Sequence, residues 1–244
     1  MPRTPLLHPD DYFEAHTPGH SIARTLALAV LVAAGTTAGV LAIGWVVTQS
    51  IDATVAVDNP AHTPDWVCEQ QREAFTDQPT PGGCAQSVPE TVDRDLGDLV
   101  WDAFVDRMPL VFVAVFVAWV VVAGVLHALS ALVGGEGSFA DTLAVAAWGG
   151  VPTLLQVIAG LAEISLRLQS VSFGSNPEQV ASEIQRLAAT GHSLPWYLVV
   201  AVVALWQGYL FAFGLVHARD LDLDAAALVA GVLALASFLL GAFG

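Results

Sequence analysis

A chain of 244 residues, 55% of them hydrophobic and only 13% charged, cannot cover itself with polar side chains as a soluble domain does. Its mean hydropathy of +0.63, with the charges crowded between long apolar runs, assigns it to the membrane. The 23 Asp and Glu against eight basic residues, all arginine, give a net charge of -15, which argues against nucleic acid or anionic lipid as partners because both require basic patches.

In chain order, a short, turn-rich tail comes first, with Tyr12 and Phe13 able to lie at the interface. Five apolar stretches follow, near 25–47, 110–133, 139–162, 195–217 and 225–243. Each reaches the roughly 20 residues that cross a hydrocarbon core of about 30 Å. Backbone in lipid must satisfy its own hydrogen bonds, so all five are predicted as helices. The first is too long for a signal-peptide core and lacks a convincing cleavage site, so it reads as an uncleaved anchor. The fold class expected is an all-α, polytopic transmembrane helix bundle of about five spans with one long external loop. Its divisions are a cytoplasmic tail at 1–24, a first span at 25–47, an acidic loop at 48–109 and a four-span membrane domain at 110–243.

The loop divides in two. Its first half, rich in Pro and Gly, is expected to be irregular. It holds both cysteines, Cys68 and Cys84, whose spacing permits a disulfide, favoured if the loop lies outside the cell. In the second half, Leu96, Leu99, Val100, Ala103 and Phe104 recur at helical spacing with Asp93, Asp95, Asp98, Asp102 and Asp106 between them. That pattern predicts an amphipathic helix lying on the membrane or the bundle. A second surface helix is expected after Asn176 (N-cap) and Pro177, with Val180, Ile184, Leu187 and Ala188 as its apolar stripe and Gly191 as its end.

Orientation follows from weighing arginines against loop length. An internal N-terminus leaves Arg3, Arg24 and Arg219 inside and the other five outside. The outside loops are long, however, and long loops obey the positive-inside rule poorly. With the cysteines also favouring the outside, the expectation is a multi-pass protein of the cell membrane, N-terminus inside and C-terminus outside. The acidic balance reads as adaptation to high salt, the acidic proteome of a halophilic archaeon, since salt screens so dense a charge; the alternative is a cation-collecting surface.

Candidate chemistry is sparse. The turn Gly134-Gly135-Glu136-Gly137-Ser138-Phe139-Ala140-Asp141 has glycines suited to ending one helix and Ser138/Asp141 spaced as a capping box for the next. It lacks the preceding strand and the lysine of a phosphate loop. Pro152, after Gly149-Gly150, predicts a helix kink. Gln156 and Gln207 are intramembrane amides, expected as hydrogen-bonding glue between helices. His127 and His217 lie near span ends at the same leaflet, with Glu136, Asp141, Asp220, Asp222 and Asp224 close in depth. That grouping matches no compact metal motif, and Asp224 suits the N-cap of the last span. Gly35 and Gly39 form a Gly-x-x-x-Gly face for close helix contact, and Trp196 and Tyr197 are interface anchors. No metal, cofactor or small-molecule ligand is expected.

The run Leu126-His127-Ala128-Leu129-Ser130-Ala131-Leu132-Val133 through Gly134-Gly135-Glu136-Gly137-Ser138-Phe139-Ala140-Asp141-Thr142-Leu143, with Trp206-Gln207-Gly208 and His217-Ala218-Arg219 before a last span, resembles the YIP (Ypt-interacting protein) domain family in its prokaryotic form. The resemblance covers roughly 110–243 and implies five helical spans with a cytoplasmic N-terminus. An Asp-Leu-Tyr-Gly-Pro tract associated with eukaryotic members is absent, so their association with small GTPases is not carried over. The reading is a non-enzymatic membrane protein. It acts through helix contacts with membrane partners, by self-association or on bilayer organisation. The alternative is a small transporter or channel component with Gln156, Gln207, His127 and His217 along a polar path.

Overall fold

A computed structural model describes residues 4–16, 21–74, 88–171, 173, 176–189, 191 and 193–243, the side chains of 71–74 and 188–189 excepted. Five helical segments are long and apolar enough to cross a membrane: α2 (Ile22–Thr48), α5 (Met108–Leu132), the pair α6 (Phe139–Gly150) and α7 (Thr153–Leu168), α9 (Leu194–Arg219) and α10 (Leu223–Phe243). The expectation of an all-α polytopic bundle holds. The helices follow the predicted stretches closely, the largest difference being the third span, which continues past 162 to Leu168.

α9 is the axis of the bundle. Half of its apolar stretch is buried inside the protein, against 11% for α5, so α5 faces lipid along most of its length. Side chains of α5, α6, α9 and α10 form the main core around Leu126, Val145, Phe211, Leu215 and Ala226. Close helix approach is bought with glycine: a Cβ on Gly149 would lie 2.0 Å from the Phe211 ring, and one on Gly39 2.0 Å from Val157 Cγ1. The Gly35/Gly39 face therefore packs internally, against Leu154 and Val157 of α7.

The N-terminal segment differs from expectation. Pro9–Ala15 forms a short helix, α1, which packs on α9. Phe13 is 2% exposed within the main core, and Tyr12 meets Trp148 edge to face at 5.5 Å. The Trp206 indole donates to the Leu6 carbonyl at 2.8 Å. An aromatic that sequence alone assigns to the interface becomes core here, because α1 folds back onto α9 and carries the ring into the bundle.

The described residues of the long loop carry regular structure where irregular chain was expected. Strand β1 (Thr54–Asp58) pairs antiparallel with β2 (Thr91–Asp95), Val57 opposite Val92, and helix α3 (Asp65–Ala74) lies between them in sequence. The pairing corrects the predicted amphipathic helix at its start. Asp93 and Asp95 sit in strand, and helix α4 (Leu96–Val105) begins only after Asp95, whose carboxylate caps Gly97 and Asp98 at 2.7 and 3.2 Å. Strand pairing supplies the backbone partners that a helix would otherwise have to provide. α4 rests on the end of α2, with Phe104 over Gly44.

Helix α8 (Pro177–Ala189) is capped by Asn176, which accepts from Gln179 N–H at 2.8 Å. Its Val180 is buried with Ile51 and Ala53, so α8 packs on the loop module as well as lying over the bundle. Gly191 has φ +64°, a conformation suited to ending a helix. The last span is capped by Asp222, which accepts from Ala225 N–H at 2.8 Å. Asp224 lies within the first turn of α10, a correction of two residues: Asp222 meets the free backbone N–H of the first turn, and Asp224 sits beyond it at the helix's positive end.

Candidate functional site: the clasped turn and the broken span

The α5–α6 turn is built by its own sequence. Gly134 and Gly137 have φ of +89° and +121°, conformations open chiefly to glycine. Gly135 N–H closes on the Ser130 carbonyl at 2.8 Å. Ser138 and Asp141 form the reciprocal capping box, Asp141 N–H to Ser138 Oγ at 3.3 Å and Ser138 N–H to Asp141 Oδ2 at 3.0 Å.

Arg219, the last residue of α9, is 3% exposed and reaches into this turn. Its guanidinium donates to Ser130 Oγ at 3.0 Å, to the Gly135 carbonyl at 2.8 Å and to the Gly137 carbonyl. The Arg219 carbonyl accepts from Glu136 N–H at 2.8 Å. Among the described residues Arg219 has no carboxylate in ion-pair reach. The charge is met by carbonyls and by the negative ends of α5 and α9, which converge here. The planar fork matches several carbonyls at once, as a lysine would not. A Cβ on Gly137 would lie 2.5 Å from the Ala218 carbonyl oxygen, so glycine lets the turn close over α9. Asp220 follows in a left-handed conformation, φ 50°.

The opposite end of α9 is held by a second polar junction. Glu163 Oε1 accepts from Arg167 Nη2 at 2.6 Å and from Ser193 N–H at 3.0 Å, and Arg167 donates to the Gly191 carbonyl at 2.5 Å. α9 is thus fixed at both ends by charge-assisted bonds.

The third span breaks between Gly150 and Thr153, with Pro152 in the gap. Val151 N–H turns to the Trp148 carbonyl at 3.1 Å, and Thr153 Oγ1 donates to the Gly150 carbonyl at 2.6 Å. Gln207, 7% exposed near the middle of α9, donates to the Gly149 carbonyl at 3.0 Å. The amide supplies one of the donors that a break inside lipid calls for.

The other residues singled out by sequence have separate settings. His127 Nδ1 lies 3.1 Å from Thr142 Oγ1, with Phe139 edge-on. His217 Nε2 lies 2.8 Å from Asp10 Oδ1. Gln156, half-buried on α7, packs where a Cβ on Gly241 would lie 2.9 Å from its Nε2. Cys68 is buried and disulfide-bonded; Cys84 lies outside the described residues. Among the described residues no group of three or more His, Cys, Asp or Glu could hold a metal ion.

Arg219 carries more of this architecture than its sequence reading, a count of charge for orientation, gave it. The signal was present: an arginine ending an apolar span, beside a glycine turn whose carbonyls need donors.

Five apolar helices, charged residues confined to span ends and loops, and polar groups spent on helix junctions define a multi-pass helical membrane protein. The Yip1 domain family matches residues 4–243, and the chain belongs to that family. The match takes in the first span and the long loop, beyond the 110–243 over which the sequence motifs run. No curated protein and no solved structure matches the chain.

Proposed function

We propose that this Yip1-domain protein is a non-enzymatic membrane component. It acts through helix contacts with other membrane proteins, a second copy included, or on the organisation of the bilayer. One observation carries the reading: polar side chains between the spans tie one element of the bundle to another. Gln207, Arg219, Trp119 and Trp206 each bond from one element to another. The outward faces of α2, α5 and α10, by contrast, present exposed Leu31, Val117 and Leu235. A rigid bundle with an apolar exterior meets lipid tails or other spans.

The membrane is the cell membrane in this reading, with the N-terminus inside and the C-terminus outside. The 48–109 loop then lies outside, with Cys68 and Cys84 bridged in an oxidising medium, and its acidity suits high salt. The test is affinity capture of the tagged protein from gently solubilised native membranes at high salt. A membrane partner at fixed stoichiometry supports the reading. Recovery of the chain alone, in detergent shown to preserve known complexes, counts against it.

The transporter reading draws on the broken third span, since interrupted helices form solute sites in transporters. Gln156→Leu and Gln207→Leu separate the two. Loss of solute flux in proteoliposomes with folding intact favours transport; loss of assembly alone favours the packing role.

A further inference from the structure

Beside the break in the third span lies a cavity of about 160 Å³, lined by α2, α5, α6, the start of α7, α9 and α10. Most of its wall is small and apolar, Ala29, Ala146 and Ala147 among it. Ala118 of α5, on its rim, is exposed on the lipid side, so the cavity communicates with the hydrocarbon between α2 and α5.

Four side chains with polar atoms border it: Trp119 and Thr153 donate to the Leu143 and Gly150 carbonyls, and Gln207 and Ser237 complete the set. Gln207 spends its NH₂ on the Gly149 carbonyl, and its side-chain oxygen accepts nothing from the described residues. Every fully enclosed side-chain polar atom among those residues has a partner, so an unbonded Oε1 on a residue 7% exposed faces open volume. Ser237 of α10 lines the same cavity and makes no hydrogen bond with a described residue. A buried acceptor left without a donor costs about 1–3 kcal/mol, and the hydrocarbon around it has none to offer.

We infer that this cavity is a binding site for a small neutral amphiphile from the bilayer, a compact apolar body bearing one hydroxyl. The size follows from volume: an apolar protein cavity of roughly 150 Å³ takes up benzene. The hydroxyl follows from the chemistry, since it donates to Gln207 Oε1 while the ring or chain fills the alanine-lined wall. A charged ligand is excluded because no ionisable side chain among the described residues lines the cavity, and it lies at mid-span, where burying a charge is costly. The sequence alone predicts no small-molecule ligand, and the site stands independently of the partner proposed above.

The probes are phenol and benzene, titrated into full-length protein in lipid nanodiscs, with empty nanodiscs subtracted for partitioning. One saturable phenol per chain is expected. Phenol should bind roughly three- to tenfold more tightly than benzene, the worth of one neutral hydrogen bond. Gln207→Leu abolishes that preference while benzene still binds, and Ala147→Leu fills the cavity and abolishes both. Absence of a saturable component, equal binding of the two probes, or an unchanged preference in Gln207→Leu overturns the proposal. Should either variant fail to fold, the anomalous signal of 4-iodophenol in crystals of the unsubstituted protein decides. Iodine inside the cavity, a ring's length from Gln207 with the hydroxyl toward its Oε1, supports the site; iodine elsewhere, or a lipid tail in the cavity, overturns it.

Discussion

Substituting Arg219 by alanine strips donors from Ser130 Oγ and from the Gly135 and Gly137 carbonyls together. Hydrogen bonds to a charged group contribute roughly 1.5–3 kcal/mol each, less where water can replace the donor. The expected loss is about 2–4 kcal/mol, read as a lower midpoint in denaturant titration of the detergent-solubilised protein. Arg219→Lys keeps the charge but loses the fork, and should recover less than half of that loss. His217 and Asp10 are a contrasting case. Asp10 is largely exposed, and an exposed pair contributes no more than about 1 kcal/mol, so Asp10→Asn should barely move the same midpoint. Both arginine and histidine end the same helix, and the difference between them is burial.

At the level of the elements, the glycines sort by what faces them. Gly149→Ala places a methyl 2.0 Å from the Phe211 ring, and Gly39→Ala one 2.0 Å from Val157. Each should lose about 1–3 kcal/mol through overpacking. Gly231→Ala meets open space and should leave stability unchanged or slightly raised, since alanine favours helix over glycine. Thermal unfolding of the three variants, with α10 as internal control, checks the order. Sequence reading reached the glycine pair at 35 and 39 but not what it packs against, because a Gly-x-x-x-Gly face reads alike whether it meets a neighbouring chain or α7. The same limit hid β1 and β2. A five-residue strand in a proline-rich loop is fixed by a partner far along the chain, Thr54 pairing with Asp95 and Asp58 with Thr91, and no local pattern in either strand names that partner.

For the whole molecule, α1 completes the core. Phe13→Ala empties a site 2% exposed and should lose about 3 kcal/mol, in the range for large-to-small core changes. Removal of residues 1–16 should lower the thermal midpoint at least as far, because the Leu6 contact to Trp206 goes with it. Circular dichroism of the truncated protein in detergent checks this. An unchanged midpoint would make the segment an appendage.

The chain's own sequence determined the spans, the capping box at Ser138 and Asp141, and the site of the break at Pro152. Each depends on covalent spacing and on a solvent that contains no hydrogen-bond partners. The Yip-like character was legible too, in the turn from Leu126 to Leu143, because its glycines are required by backbone geometry wherever they occur. Only the tertiary structure decided that Phe13 is core, that Asp222 caps the last helix, that Arg219 binds the α5–α6 turn, and that Gln207 leaves an oxygen facing a cavity. These properties depend on which surfaces meet. An arginine, an amide or an aromatic ring takes its role from neighbours that folding brings from elsewhere in the chain.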